Sequence, residues 1–222
     1  MRALLLTLCF SSLLFVVVTA SDSTYVLVQA RGLNGRDSAF NKGHMLEKQL
    51  ILELKKQLKK KPVSFLLPED ISDGHSYNYS IVLNVLELHI DEPVINQLMK
   101  NFSQEVIANN YRDEAEDIRK VHAIVSADLT ITERFVSGFI RLTVSTTQLP
   151  ATSTVWEEIF TESYKWENNT ATYSGSQQAL GYKELELIRN KVKPIPTPEM
   201  VYEALVKHWT DKSSSKIANS LK

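Results

Sequence analysis

Cysteine is almost absent: the one thiol in 222 residues is Cys9. It sits inside an apolar N-terminal run, so a chain cleaved beyond that run has no thiol at all. Disulfide staples, thiol catalysis and cysteine-based zinc sites are excluded together. Glycine is scarce too. The seven glycines form no G-x-G-x-x-G, no Walker loop and no G-x-S-x-G elbow. An excess of either charge is also missing. Against 26 acidic side chains stand 25 Lys and Arg, a net −1, which leaves no electrostatic footprint for nucleic acid. Histidines occur at 44, 75, 89, 122 and 208, with no H-E-x-x-H and no pair four apart. No catalytic, cofactor-binding or metal-ligating residue is assigned, and no cofactor is expected.

What is present begins with an export signal. Arg2 precedes an apolar run from Ala3 to Val18, and Val18-Thr19-Ala20 suits signal peptidase. Cleavage after Ala20 would leave 202 residues and, with Arg2 gone, a net −2. Leu8 precedes Cys9 where a lipoprotein signal needs a small residue, so Cys9 reads as part of the leader's apolar core. The expected organisation is a signal peptide over residues 1–20, a single α+β domain over 21–210 and a flexible tail over 211–222. The mature chain is expected to have no spanning helix and to work in the periplasm or outside the cell.

Periodicity supplies the elements. Thr24–Gly32 is β-branched and reads as a strand. Leu46, Leu50, Ile51, Leu54 and Leu58 draw one stripe on a helix that Asp37 or Asn41 could cap and Pro62 ends. Val63–Leu67 and Tyr77–Ile90 follow as strands. Asp91–Lys120 mixes charge with scattered apolar residues and reads as an insertion. Val121–Glu133 alternates cleanly, and Ser137-Gly138 reads as a hairpin turn into a second strand. Val155–Trp166 is a third, with Trp156, Phe160, Tyr164 and Trp166 on one face. The polar "ENNTATYSGSQQ" then reads as a crossover to a helix weakened by Gly181. A last helix starts at Thr197-Pro198 and is expected to bury Met200, Val201, Leu205 and Trp209. The predicted class is α+β, a mostly antiparallel sheet with helices packed on one face, in the order β-α-β-β-(insertion)-β-β-β-α-α.

Acid pairs at Glu69-Asp70, Asp91-Glu92 and Glu157-Glu158 do not make a glycosidase site by themselves, because neighbours on a strand point to opposite faces. Three N-x-S/T sequons, at Asn78, Asn101 and Asn168, are no more than this composition yields by chance. The basic run Lys55–Pro62 reads as a helix C-terminus, where lysines complement the macrodipole.

The second half resembles a family of uncharacterised secreted proteins of Bacteroidetes. The resemblance rests on the strand "HAIVSADLTITER" and on Trp156, Trp166, Ala171, Thr172, Tyr173, Gly175, Ala179 and Leu180. It spans roughly residues 120–190. The element order is similar to a wider class of envelope modules, namely curli-secretion lipoproteins, lipoprotein activators of penicillin-binding proteins and the amino-terminal domain of the Tol propeller protein. That class implies assembly and partner contact without catalysis. The expectation is a non-enzymatic envelope protein that binds a protein partner, with Trp166 and Tyr173 as possible contacts. The other reading is a hydrolase of envelope glycan or peptide with carboxylates gathered from separate elements, and a carrier with an apolar cavity is a third.

Overall fold

The computed structural model describes residues 24–32, 42–71, 76–112, 118–150 and 153–221. The predicted signal peptide and the helix caps Asp37 and Asn41 lie outside these. Strand β1 (Thr24–Arg31) feeds α1 (Lys42–Gln57), which returns to β2 (Val63–Leu66). Strands β3 (Tyr79–Ile90), β4 (Val94–Arg112), β5 (Ile118–Gln148) and β6 (Ser153–Gly175) follow, and α2 (Tyr182–Arg189) and α3 (Pro198–Ser220) end the chain. Strand β1 pairs in parallel with β2 and β3, and every other pairing is antiparallel. The α+β class and the mostly antiparallel sheet are as expected.

Strand β6 lines one edge of β5 from Gln148 to Ala127. Strands β3 and β4 therefore share the other edge end to end, β3 against Gly138–Gln148 and β4 against Ile118–Phe135. Three departures from strict pairing accommodate this long path. The register shifts between Val85 and Glu87 and again between Ile107 and Asn109. Between Ile90↔Gly138 and Val94↔Phe135, three residues oppose two. Each extra residue is a bulge, which bends the strand, adds twist and flips the alternation. Strand β5 itself, 31 residues, spans roughly 100 Å at about 3.3 Å per residue.

The two halves of β5 bury opposite faces. Ala127, Leu129 and Ile131 are buried at odd positions, while Val136, Ile140, Leu142 and Val144 are buried at even ones. Its pairing with β6 shows no slip between these sets, so the change is one of face. The even face carries the main core, with Leu46, Leu50 and Leu54 of α1 and Val201, Leu205 and Trp209 of α3. The odd face carries a smaller core with Ala179 and Leu180, against which Leu185 and Ile188 of α2 pack. The three helices thus do not share a face: α1 and α3 cover one, α2 the other.

Besides the helices expected on one face, further sequence expectations are corrected. Met200, expected in the buried stripe of α3, is exposed. The segment 91–120, expected as an insertion, is chiefly β4 and the start of β5. Its side chains look irregular because a two-stranded ribbon exposes both faces and the bulge after Ile107 breaks the period. Ser137-Gly138 is no hairpin; β5 runs straight through it. The glycine is there for close approach, since a Cβ would lie 3.0 Å from the His89 carbonyl oxygen and 3.1 Å from Val201 Cγ1 of α3. The polar run after Trp166 is no crossover; it continues β6 to Gly175, where φ is +95° and a Cβ would lie 2.5 Å from the Ser126 carbonyl oxygen. The tail expected to fray over 211–222 is helical to Ser220, with Ser213, Ser214, Ile217, Ala218 and Leu221 buried. Lys212 to Glu162 and Lys216 to Glu158, both at 2.5 Å, tie that helix to β6.

Candidate interaction surface

Trp166 and Tyr173 do not form one site. Trp166 lies opposite Val136, on the even face, and packs partly buried against the main core. Tyr173 lies opposite Leu129, on the odd face, 39% exposed. Seven residues apart on one strand, they point to opposite sides. Trp156, Phe160 and Tyr164 join Trp166 against the main core as the alternation predicts, with the Phe160 ring edge-on to Trp209 at 6.5 Å.

Two clusters of titratable groups come together without being neighbours in sequence. At the β3–β4 bulge, the Ser137 hydroxyl donates to Asp91 Oδ2 while His89 Nε2 lies 2.9 Å from Asp91 Oδ1. The serine hydroxyl, and then the histidine, hold the Asp91 carboxyl below its usual range. Nucleophile activation needs a histidine between serine and carboxylate. Here the carboxylate lies in the middle, and lowering its basicity suits it less to accept a proton. The arrangement pins the bulge: the Asp91 N–H also donates to the Ser137 carbonyl at 2.9 Å.

The second cluster lies where β1 ends. His44 Nδ1 is 3.4 Å from Glu47 Oε2 and 3.6 Å from Glu69 Oε1. The Ala30 N–H donates to Glu47 Oε1 at 2.6 Å. Burial raises the Glu47 carboxyl above its usual value. This is a carboxylate pair around a histidine, yet Glu47 is closed to solvent and one of its oxygens is held by backbone. It braces α1 against β1. Among the described residues no group of three or more ligating side chains is placed to hold a metal ion.

The sequons fare differently. Asn168 is buried; its amide donates to the Lys191 carbonyl at 3.1 Å and its Oδ1 accepts from the Lys193 N–H at 3.0 Å. Asn190 donates to the Asn169 carbonyl at 3.0 Å. These bonds strap the segment after α2 over the edge of β6. Asn101 lies exposed on β4 and donates to Asp128 Oδ1 at 2.7 Å.

The surface that stands out is the ribbon of β4 with the first half of β5. Among the described residues β4 pairs with β5 alone, so its other edge is open over 19 residues. Beyond Ala127↔Gly175 the β5 edge is open too, leaving two strands from Ser103↔Ser126 outward. Ile95 (54%), Met99 (72%), Ile107 (51%) and Ile124 (79%) are all exposed on the face that the main core leaves uncovered here. Sequence reading missed this surface. The exposed apolar side chains recur every four or eight residues on β4, without the strict alternation that marks a strand, and the segment's acids suggested a loop.

No family model matches the chain, and no curated protein matches it. Among solved structures, the chain is similar to a minor lipoprotein from Acinetobacter baumannii, at 10% identity and a TM-score of 0.34, over 90% of this chain and 93% of that one. It is also similar to a homologue of a neuraminyllactose-binding hemagglutinin from Helicobacter pylori, at 11% identity and a TM-score of 0.33, over 91% of this chain and 84% of that one. Likeness at this level transfers neither function nor site residues. Among the described residues, no helix is long and apolar enough to cross a membrane.

Proposed function

We propose that this is an exported, non-enzymatic envelope protein that binds or helps assemble another envelope component, with the β4–β5 ribbon as its contact surface. The observation that carries the reading is the open β4 edge. An unpaired edge offers a row of backbone donors and acceptors, and proteins ordinarily blunt such edges with lysine, proline or cover. Strand β6 is blunted: charged side chains line it and Asn190 caps one of its carbonyls. Strand β4 has one lysine, Lys100, and no proline. The leader read at residues 1–20 supports export to the periplasm or beyond. Tyr173, exposed on β6 and on the opposite face, is a secondary contact outside this ribbon, while Trp166 packs against the main core.

The test is photo-crosslinking in intact cells, with the probe at Met99, at Ile107 or at Leu52, an exposed position on α1. Adducts from the two ribbon positions and none from Leu52 are expected. No adduct from the ribbon, or equal yield from Leu52, overturns the proposal.

A further inference from the structure

We infer that the occupant of the β4 edge is the β4 edge of a second copy of this chain, paired antiparallel about Asn101. The inference rests on the ribbon being an assembly surface and names its partner. The regular part of β4 is bounded by Pro93 on one side and by the bulge between Ile107 and Asn109 on the other. On the face that carries Met99, its apolar limits are Ile95 and Ile107, and Asn101 is their midpoint.

A two-fold axis perpendicular to a sheet sets residues of equal parity opposite each other, which keeps one face continuous across the join. Centred on Asn101, the axis brings Ile95 against the partner's Ile107 and Gln97 against the partner's Glu105. Opposed residues on one face interact directly. Lys100 falls against the partner's Phe102, so neither of the two charges meets its like. Shifting the centre to Lys100 would oppose two lysines. A centre at Phe102 would put Met99 against Glu105. The segment 95–107 carries one lysine, one glutamate and no Gly or Pro, so the same sequence serves on both sides of the join. Pairing would also supply a third strand to the two-stranded stretch from Ser103 to Ile107.

Gln97 gives a test with a sign. It lies directly against the uncharged Thr132 within its own chain, and Arg134, diagonal to it, is the same neighbour in monomer and dimer, so only the charge set opposite it across the join changes on pairing. Sedimentation equilibrium of the chain recovered from the envelope should show a dimer. Gln97→Lys, placed opposite Glu105 of the second copy, should tighten it, and Gln97→Glu should loosen it, each by roughly two- to thirtyfold because two cross-strand pairs change. In a Cys9→Ser background, Asn101→Cys should form a disulfide dimer and Ser103→Cys should not. A chain that is monomeric throughout, or a dimer that neither Gln97 change moves, overturns the inference. In that event heavier crosslinks from Met99 to a different protein would still uphold the ribbon as a contact surface, and their absence would sink both.

Discussion

Ile217→Ala tests whether the end of the chain is part of the fold. Ile217 is fully buried in the main core, in the stretch of α3 that sequence reading left as a tail. The substitution removes three methyl or methylene groups. At about 0.8 kcal/mol each, transfer alone costs about 2.4 kcal/mol. The cavity left under β5 and β6 adds to this, within the range of about 2–5 kcal/mol for such truncations. With a urea slope of about 2 kcal/mol per M, the midpoint should fall by roughly 1–2 M. Equilibrium urea unfolding followed by circular dichroism measures it. Ser215→Ala, exposed on the same helix, is the control and should stay within about 0.5 kcal/mol of the parent. If the two variants unfold together, residues 211–221 do not pack as described and the account of the main core is wrong.

Gly138→Ala should cost about 1–3 kcal/mol, because the added carbon meets the His89 carbonyl and Val201 and one of them must move; at a free hairpin turn the same change would be nearly silent, and thermal unfolding separates the two cases. Asn168→Ala should cost about 1–3 kcal/mol by leaving the Lys193 N–H and the Lys191 carbonyl unpaired, and amide exchange at Lys193 should quicken in step. Glu47 bears on pH. Its folded carboxyl is raised above the ordinary 4.5 by burial, opposed by the Ala30 N–H and by His44, with Glu69 adding to the rise. A raised group contributes stability that is fully present below the unfolded value and lost as pH rises through the folded one. Glu47→Gln keeps an acceptor for Ala30 without that loss, so its stability relative to the parent should improve from pH 4 to pH 7; a flat difference in urea midpoints across that range would refute the burial argument.

Elements with one face against one partner were legible. The α1 stripe, the β1 run and the aromatic face of β6 each obey a single period along their length, and the structure keeps them. Elements that change partner were not. Strand β5 alternates cleanly at 127–131 and again from 136, but the phase reverses between them. A reversal of phase reads as a turn, and Ser137-Gly138 stands where a turn would be expected. The physical cause is that α2 covers one face of one half while α1 and α3 cover the opposite face of the other. The end of α3 escaped notice for a different reason. Its buried positions 213 and 214 are serines, small enough to sit under a helix yet polar enough to read as tail.

The interaction surface was hidden by the same geometry. A strand edge has no composition of its own, because its recognition chemistry is backbone. Only its defences leave a mark in sequence, and β4 and β6 differ in them. Strand β6 carries Glu157, Lys165 and Glu167, and Asn190 reaches over its edge, while the longest regular run of β4, Val94 to Ile107, carries two charges in fourteen residues. The asymmetry follows from what each edge must do. Strand β6 closes the sheet beside α3, where an added strand would compete with the strap at Asn168 and Asn169. Strand β4 reaches the smaller core through Phe102 and from Ser103 onward runs clear of both cores. Its pairing cannot unseat a helix, so an open edge there costs the fold nothing in packing. A surface that joins copies belongs on that edge, and the bulge fixed by His89, Asp91 and Ser137 sets the point where the ribbon leaves the body and so the direction in which the edge is presented.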